Sequence, residues 1–143
     1  MIWLLDTNIV SEWVKPRPNP DVAAWLTALD EDDAYLSVIT LGELRHGIAR
    51  LAAGRRRAQL DDWLRVDLRA RFDDRILPVN DAVADEWGVI VARREAAGRP
   101  IGSMDAFMAA TANVGHLTLV TRNVNDFASA ANAVFNPWAG DDR

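Results

Sequence analysis

The feature that most constrains the fold is an alternation of short apolar runs with helical patterns. Residues 2–5, 34–38, 75–79 and 117–121 have the length and composition of buried strands, and the segments between them have apolar residues at helical spacing. This alternation favours an α/β domain with a mainly parallel central sheet flanked by helices. No repeat or long linker divides the 143 residues, so we expect a single domain over residues 1–143.

Polar residues and glycines predict where several helices begin and end. Asn80 is expected to cap one helix and Ser103 to cap another. Thr40 and Glu43 have the spacing of a capping box, in which the glutamate bonds back to the cap. Gly54 is expected to end the helix that follows Thr40.

The composition bounds the function classes. Half of the residues are hydrophobic, enough for one sizeable core, and cysteine is absent, which excludes disulfides and thiolate metal sites. The first apolar run has no basic lead and is too short for a signal peptide, and no run approaches the length of a membrane span. We therefore expect a cytoplasmic protein without a membrane segment.

The net charge of -5 argues against general binding of nucleic acid. The charge is uneven, however, because arginines cluster within residues 54–75 and 92–99. A local basic surface therefore remains compatible with the acidic total.

Acidic and amide side chains follow two of the predicted strands. Asp6 comes directly after the first strand, and Asn123 and Asp126 follow the strand 117–121. Binding sites of parallel sheets form outside the carboxyl ends of the strands. Each residue alone has an equally good explanation as a turn or cap residue.

Two further acids lie on predicted helices. Glu43 is explained by the capping box, although a carboxylate near a helix start also points towards a strand end. Asp105 opens a helix that is apolar on most sides, in the run "DAFMAATA". Such a helix is expected to be buried, and a buried carboxylate needs a partner.

The combination of acids favours a metal site. Clustered carboxylates raise one another's pKa values unless a cation neutralises them. Oxygen ligands without cysteine suit Mg²⁺ or Mn²⁺, and Mg²⁺ uses one or two carboxylates while it keeps several waters. This combination is suited to metal-assisted hydrolysis of a phosphodiester.

Four short motifs in order resemble the PIN-domain ribonucleases, specifically the VapC-type toxins: "LLDTNIVSE", "SVITLGELRHGI", "DAFMAATA" and "TLVTRNVNDF". The closing "AVFNPW" resembles the subgroup that includes FitB. The resemblance implies a PIN fold and Mg²⁺-dependent cleavage of RNA. It makes Asp6, Glu43 and Asp105 the core acids, of which Asp6 and Asp105 hold the metal.

The resemblance leaves the fourth acid open. Some relatives carry aspartate where this chain has Asn123, and others use an acid slightly later, where Asp126 stands. Asn123 could still hold a water or orient a neighbour. Glu43 and an acid near Asp126 are expected to bind the metal's waters or to help deprotonate the nucleophile.

The resemblance also implies partners. We expect a homodimer and a larger complex with an antitoxin, whose basic segment inserts Arg or Lys among the carboxylates and which alone contacts DNA. Trp13 and Trp25 are candidate anchors for that segment. Two other functions stay open: an RNA- or partner-binding PIN module with an impaired site, suggested by Asn123, and a phosphatase with Asp6 as nucleophile. The phosphatase is the weaker, because "DTN" lacks a second acid two residues on.

Overall fold

Five parallel strands form the centre of the molecule. The computed structural model describes residues 1–138, so residues 139–143, the end of the expected domain, lie outside the described residues. The strands run in the order β3-β2-β1-β4-β5, and they are β1 (Trp3–Leu5), β2 (Ala34–Ser37), β3 (Ile76–Leu77), β4 (Thr118–Val120) and β5 (Val134–Phe135). The predicted α/β architecture with a mainly parallel sheet is confirmed.

Helices flank this sheet. They are α1 (Thr7–Val10), α2 (Pro20–Ala28), α3 (Val38–Ala49), α4 (Arg55–Asp62), α5 (Arg69–Phe72), α6 (Asp81–Ala96) and α7 (Ser103–Gly115). A π-helical segment, Trp63–Leu68, joins α4 to α5, and a 3-10 turn, Val124–Phe127, follows β4. Within residues 1–138, no helix is long and apolar enough to span a membrane.

The central strand β1 divides the core into two halves. Successive side chains of a strand point to opposite faces of its sheet. Leu4 accordingly packs in the cluster formed with α6 and α7, whereas Leu5 packs in the cluster formed with α1 to α5, and neither is accessible to solvent. Burial on both faces explains why β1 is a continuous apolar run in the sequence.

The topology brings four chain segments to one edge of the sheet. The ends of β1, β2 and β4 lie at the same edge because these strands are parallel neighbours. Helix α7 precedes β4 and returns across the sheet, so α7 begins at this edge as well. The main-chain N–H of Asp6 donates to the carbonyl of Val120 at 2.9 Å and thereby continues the pairing of β1 with β4 by one residue.

The structure confirms one predicted cap and corrects others. The side chain of Asn80 accepts the N–H of Val83 at 3.0 Å, as expected of a cap. The predicted capping box is wrong, because β2 continues into α3 without a loop and Ser37 is the cap. Glu43 therefore lies in the second turn of α3.

Two other helix boundaries also differ from the prediction. Helix α3 ends at Ala49, and Gly54 instead lies directly before α4. Ser103 is the first residue of α7, and Gly102 occupies the cap position without a side chain to bond. Asp105 is therefore the third residue of its helix.

Candidate active site

Asp6 links the end of β1 to the start of α1. Its Oδ1 accepts the N–H of Thr7 at 2.8 Å, which caps α1, and its Oδ2 accepts the hydroxyl of Thr121 at 2.8 Å. Only 7% of Asp6 is exposed. The capping role considered from the sequence is therefore real, but it uses only one of the two carboxylate oxygens.

The surroundings of Asp6 raise the pKa of its carboxyl group. The net pKa of Asp6 is about 6; burial is the main cause of the increase, and the hydrogen bonds from Thr121 and Thr7 oppose it. The carboxylates of Glu43 and Asp105 raise the pKa further. The three predicted core acids therefore interact electrostatically, although they are far apart in the sequence.

Glu43 is fixed by a contact between helices. Its Oε1 accepts the hydroxyl of Thr7 at 2.5 Å, and the same hydroxyl lies 3.3 Å from the hydroxyl of Thr40. Thr7 belongs to α1, whereas Thr40 and Glu43 belong to α3. Thr7 thus orients Glu43, and it directly follows Asp6, the residue that caps α1.

Asp105 reaches the site from the first turn of α7 and is half-buried. Burial raises the pKa of Asp105, and the carboxylates of Asp126 and Glu43 raise it further. The guanidinium of Arg94 acts in the opposite direction. Asp105 therefore interacts electrostatically with the acid on α3 and with the acid in the turn after β4.

The two candidates for the fourth acid differ in their relation to the site. Both are exposed, and they lie at the beginning and within the turn that follows β4. Asp126 is near enough to Asp105 to affect its pKa. Asn123 donates its main-chain N–H to the Thr121 hydroxyl oxygen at 3.0 Å, so it supports Asp6 indirectly.

Sequence reasoning missed the polar residues that hold the acids. Each of them forms a hydrogen bond to an acid or to another of these residues, and they are Thr7, Asn8, Thr40 and Thr121. Asn8 donates to the Thr121 hydroxyl at 3.3 Å and accepts the N–H of Arg122 at 3.4 Å. The available signal was Thr121 itself, a polar residue at the end of the apolar run 117–121. In the structure Thr121 is fully buried.

The donor set fits a hard divalent cation. Within residues 1–138, no three His, Cys, Asp or Glu side chains stand close enough together to form a complete metal-binding group. Mg²⁺ needs only one or two carboxylates, because water completes its coordination. Asp6 and Asp105 supply two carboxylates, the charge of Asp105 disfavours the ionised form of Asp6, and a bound cation would remove that penalty.

Burial of Asp6 predicts how the stability of the metal-free protein depends on pH. The folded state raises the pKa of Asp6 from 3.8 to about 6. The contribution of Asp6 to the free energy of unfolding is therefore fully present below pH 3.8 and is lost as the pH rises through about 6. A shift of this size corresponds to about 3 kcal/mol of unfolding free energy. We expect Asp6→Asn to abolish this loss.

Urea unfolding in EDTA across this pH range measures the effect as the difference between wild type and variant. Asp67→Asn, at an exposed position, is the matched control and should follow wild type. Parallel stability profiles for wild type and Asp6→Asn would contradict the prediction.

The chain is similar to known proteins over nearly its whole length. The family model described as "PIN domain" matches residues 3–133. Toxin FitB of Neisseria gonorrhoeae is 42% identical over 135 residues, which cover 94% of this chain and 97% of that protein. VapC ribonuclease Y4jK of Sinorhizobium fredii is 34% identical over 135 residues, with 94% and 96% covered.

Solved structures give the same result. FitAcB from Neisseria gonorrhoeae matches with a TM-score of 0.91 at 41% identity and covers 96% of this chain and 99% of that chain. VapBC-1 from nontypeable Haemophilus influenzae matches with a TM-score of 0.77 at 26% identity, covering 96% and 98%. The chain therefore belongs to the PIN-domain family and, within it, to the group that contains FitB and the VapC ribonucleases.

Proposed function

We propose that this chain, as a single PIN domain over residues 1–143, is a metal-dependent endoribonuclease and the toxin of a type II toxin–antitoxin pair. The observation that carries the proposal is the electrostatic coupling of Asp6, Glu43 and Asp105 at one edge of the sheet. Relatives that are named toxins and ribonucleases support the same function.

The proposed chemistry is hydrolysis of an RNA phosphodiester. A Mg²⁺ or Mn²⁺ ion held by Asp6 and Asp105 would polarise the phosphate and lower the pKa of a bound water. Thr7 occupies Oε1 of Glu43, so Oε2 is the proposed acceptor of the proton from the attacking water. The bond from the water oxygen to phosphorus would form while the bond to the leaving ribose oxygen breaks, and the leaving oxygen would take a proton from solvent.

Asp126 is the proposed fourth acid. Its carboxylate affects the pKa of Asp105, and it lies on the exposed side of the site, where a metal-bound water or a phosphate would approach. Asn123 supplies no charge, and its main-chain contact with Thr121 gives it a supporting role.

A binding module with an impaired site is the alternative that an observation favours. Asn123 follows β4 at a place where some relatives of the VapC type carry an acid, and a missing charge weakens metal binding. An Asp6 nucleophile has less support, because both of its oxygens accept hydrogen bonds and its side chain is buried. Metal-dependent cleavage of an RNA panel by the purified protein separates the nuclease from the binding module.

An apolar groove beside the site supports the proposed antitoxin interaction. It has a volume of about 300 Å³ and begins at Thr7 and Glu43. Its apolar lining comprises Val14, Leu44, Ile48, Leu51, Leu60 and Trp63. An antitoxin segment in this groove would bring an Arg or Lys to the carboxylates, where charge-assisted hydrogen bonds form.

The tryptophans first considered as anchors have other contacts. Trp13 packs against Phe72, with ring centroids 5.9 Å apart, and Trp25 packs against Trp3 at 5.3 Å. Trp63, which lines the groove, is therefore the anchor that we propose. We also propose that the toxin is a homodimer and that the antitoxin supplies DNA binding to the complex.

The first functional prediction concerns the core acids. Asp6→Asn and Asp105→Asn should each reduce Mg²⁺-dependent RNA cleavage at least about a hundredfold, because each removes a proposed ligand charge. Cleavage rates are measured on an RNA panel, with folding checked by circular dichroism. Asp67→Asn is the control for loss of an exposed acid. Full activity of both variants would eliminate the proposed site.

The second prediction separates the candidates for the fourth acid. Asn123→Asp should lower the Mg²⁺ concentration for half-maximal cleavage, because it adds a negative charge near the site, and Asp126→Asn should raise it about tenfold. Metal titrations of the cleavage rate measure both effects. An unchanged titration curve for Asp126→Asn would show that Asp126 is a turn residue without a part in metal binding.

The third prediction tests the groove. Leu51→Glu should weaken binding of the cognate antitoxin at least about tenfold, since it places a charge in an apolar contact, and should leave cleavage by the free toxin unchanged. Val66→Glu is the matched control, because Val66 is also exposed, at 57%, but does not line the groove. Equal affinity of wild type and Leu51→Glu would place the antitoxin elsewhere.

A further inference from the structure

Arg94 is a buried cation in the last turn of α6. Only 5% of the residue is exposed. Its Nε donates to the carbonyl of Arg99 at 2.7 Å, and its Nη1 donates to the carbonyls of Asp126 and Ala128, each at 3.0 Å. The side chain thus spans two segments, the turn that ends α6 and the turn that follows β4.

All three acceptors of Arg94 are neutral main-chain carbonyls. None of the ion pairs formed among residues 1–138 includes Arg94. A buried charge is costly unless opposite charge compensates it. Arg94 accordingly depends on its three carbonyl acceptors, two of which lie in the segment that follows β4.

We propose that Arg94 is a positioning residue of the active site: its Nη1 holds the turn Val124–Phe127, its Nε ties that turn to the end of α6, and its buried positive charge lies against the turn. The inference rests on the proposed function where it concerns RNA cleavage. Arg94 touches the main chain of Asp126 and no proposed ligand side chain, so it acts through the turn.

The shape of the guanidinium separates the two contributions. Arginine presents several donors in a rigid fork, whereas lysine offers a single flexible ammonium. Arg94→Lys therefore keeps the charge and loses the fork, and Arg94→Met loses both. Loss of the fork should release the turn in both variants, and only Arg94→Met should remove the positive charge that repels an incoming metal cation.

Arg93 offers a matched control on the same helix. Its Nε donates to the carbonyl of Ser129 at 3.0 Å, so it also contacts the segment after β4, but it is exposed. Arg93→Met therefore removes an arginine and one hydrogen bond to this segment without removing a buried charge.

Hydrogen exchange of the metal-free protein tests the placement of the turn without any assay of activity. We expect the amides of residues 123–131 to exchange about tenfold faster in Arg94→Lys and Arg94→Met, while the amides of β4 and those of Arg93→Met follow wild type. Wild-type exchange over residues 123–131 in Arg94→Lys would overturn the proposal. That variant decides the question even where Arg94→Met does not fold.

Mn²⁺ titration and RNA cleavage complete the test. Arg94→Lys should bind Mn²⁺ about threefold or more weakly than wild type, and Arg94→Met should bind it more tightly than Arg94→Lys does. Equal affinity in the two variants would overturn the electrostatic contribution. If the wild-type protein cleaves no RNA but the Arg94 variants still show faster hydrogen exchange, the proposed function is refuted and this inference is supported.

Discussion

The pairing of β1 with β4 is the constraint on which the site depends. It runs from Trp3 opposite Thr118 to Leu5 opposite Val120, and the main-chain bond of Asp6 continues it. This register places the Thr121 hydroxyl against the Asp6 carboxylate, although 115 positions separate them in the sequence. A slip by one residue would exchange the side chains that pack in the two buried halves of the core. The hydrogen bond between Thr121 and Asp6 therefore depends on the packing of both halves.

A second consequence follows from the energetic cost of the acids. Burial of Asp6 disfavours its charged form, and the other carboxylates add to that cost. A fold accepts such groups only where surrounding packing compensates for them. The neutral hydroxyls of Thr7 and Thr121 orient the acids without adding positive charge. A cation at this edge of the sheet would therefore still be attracted by the full charge of the acids.

The fold and the acids were predictable to different degrees. The parallel sheet followed from the alternation of apolar and helical segments, and the placement of Asp6 followed from its position at a strand end. The local environment of Glu43 did not follow, because the spacing suggested a cap at Thr40, whereas Ser37 caps α3 directly from β2. Local patterns describe neighbours in sequence, and the bond between Glu43 and Thr7 joins residues 36 positions apart. The buried position of Arg94 likewise depends on two turns that only the tertiary structure brings together.

The opposite orientations of Leu4 and Leu5 affect how this chain tolerates insertions and deletions. Met1 is 83% exposed, so additional residues before β1 meet no packing constraint and a purification tag at this end is compatible with the fold. A single residue gained or lost between Trp3 and Asp6 would exchange the two faces of the central strand and turn the carboxylate away from Thr121. Changes in length during divergence should therefore accumulate ahead of the strand, whereas the spacing from Trp3 to Asp6 should stay constant.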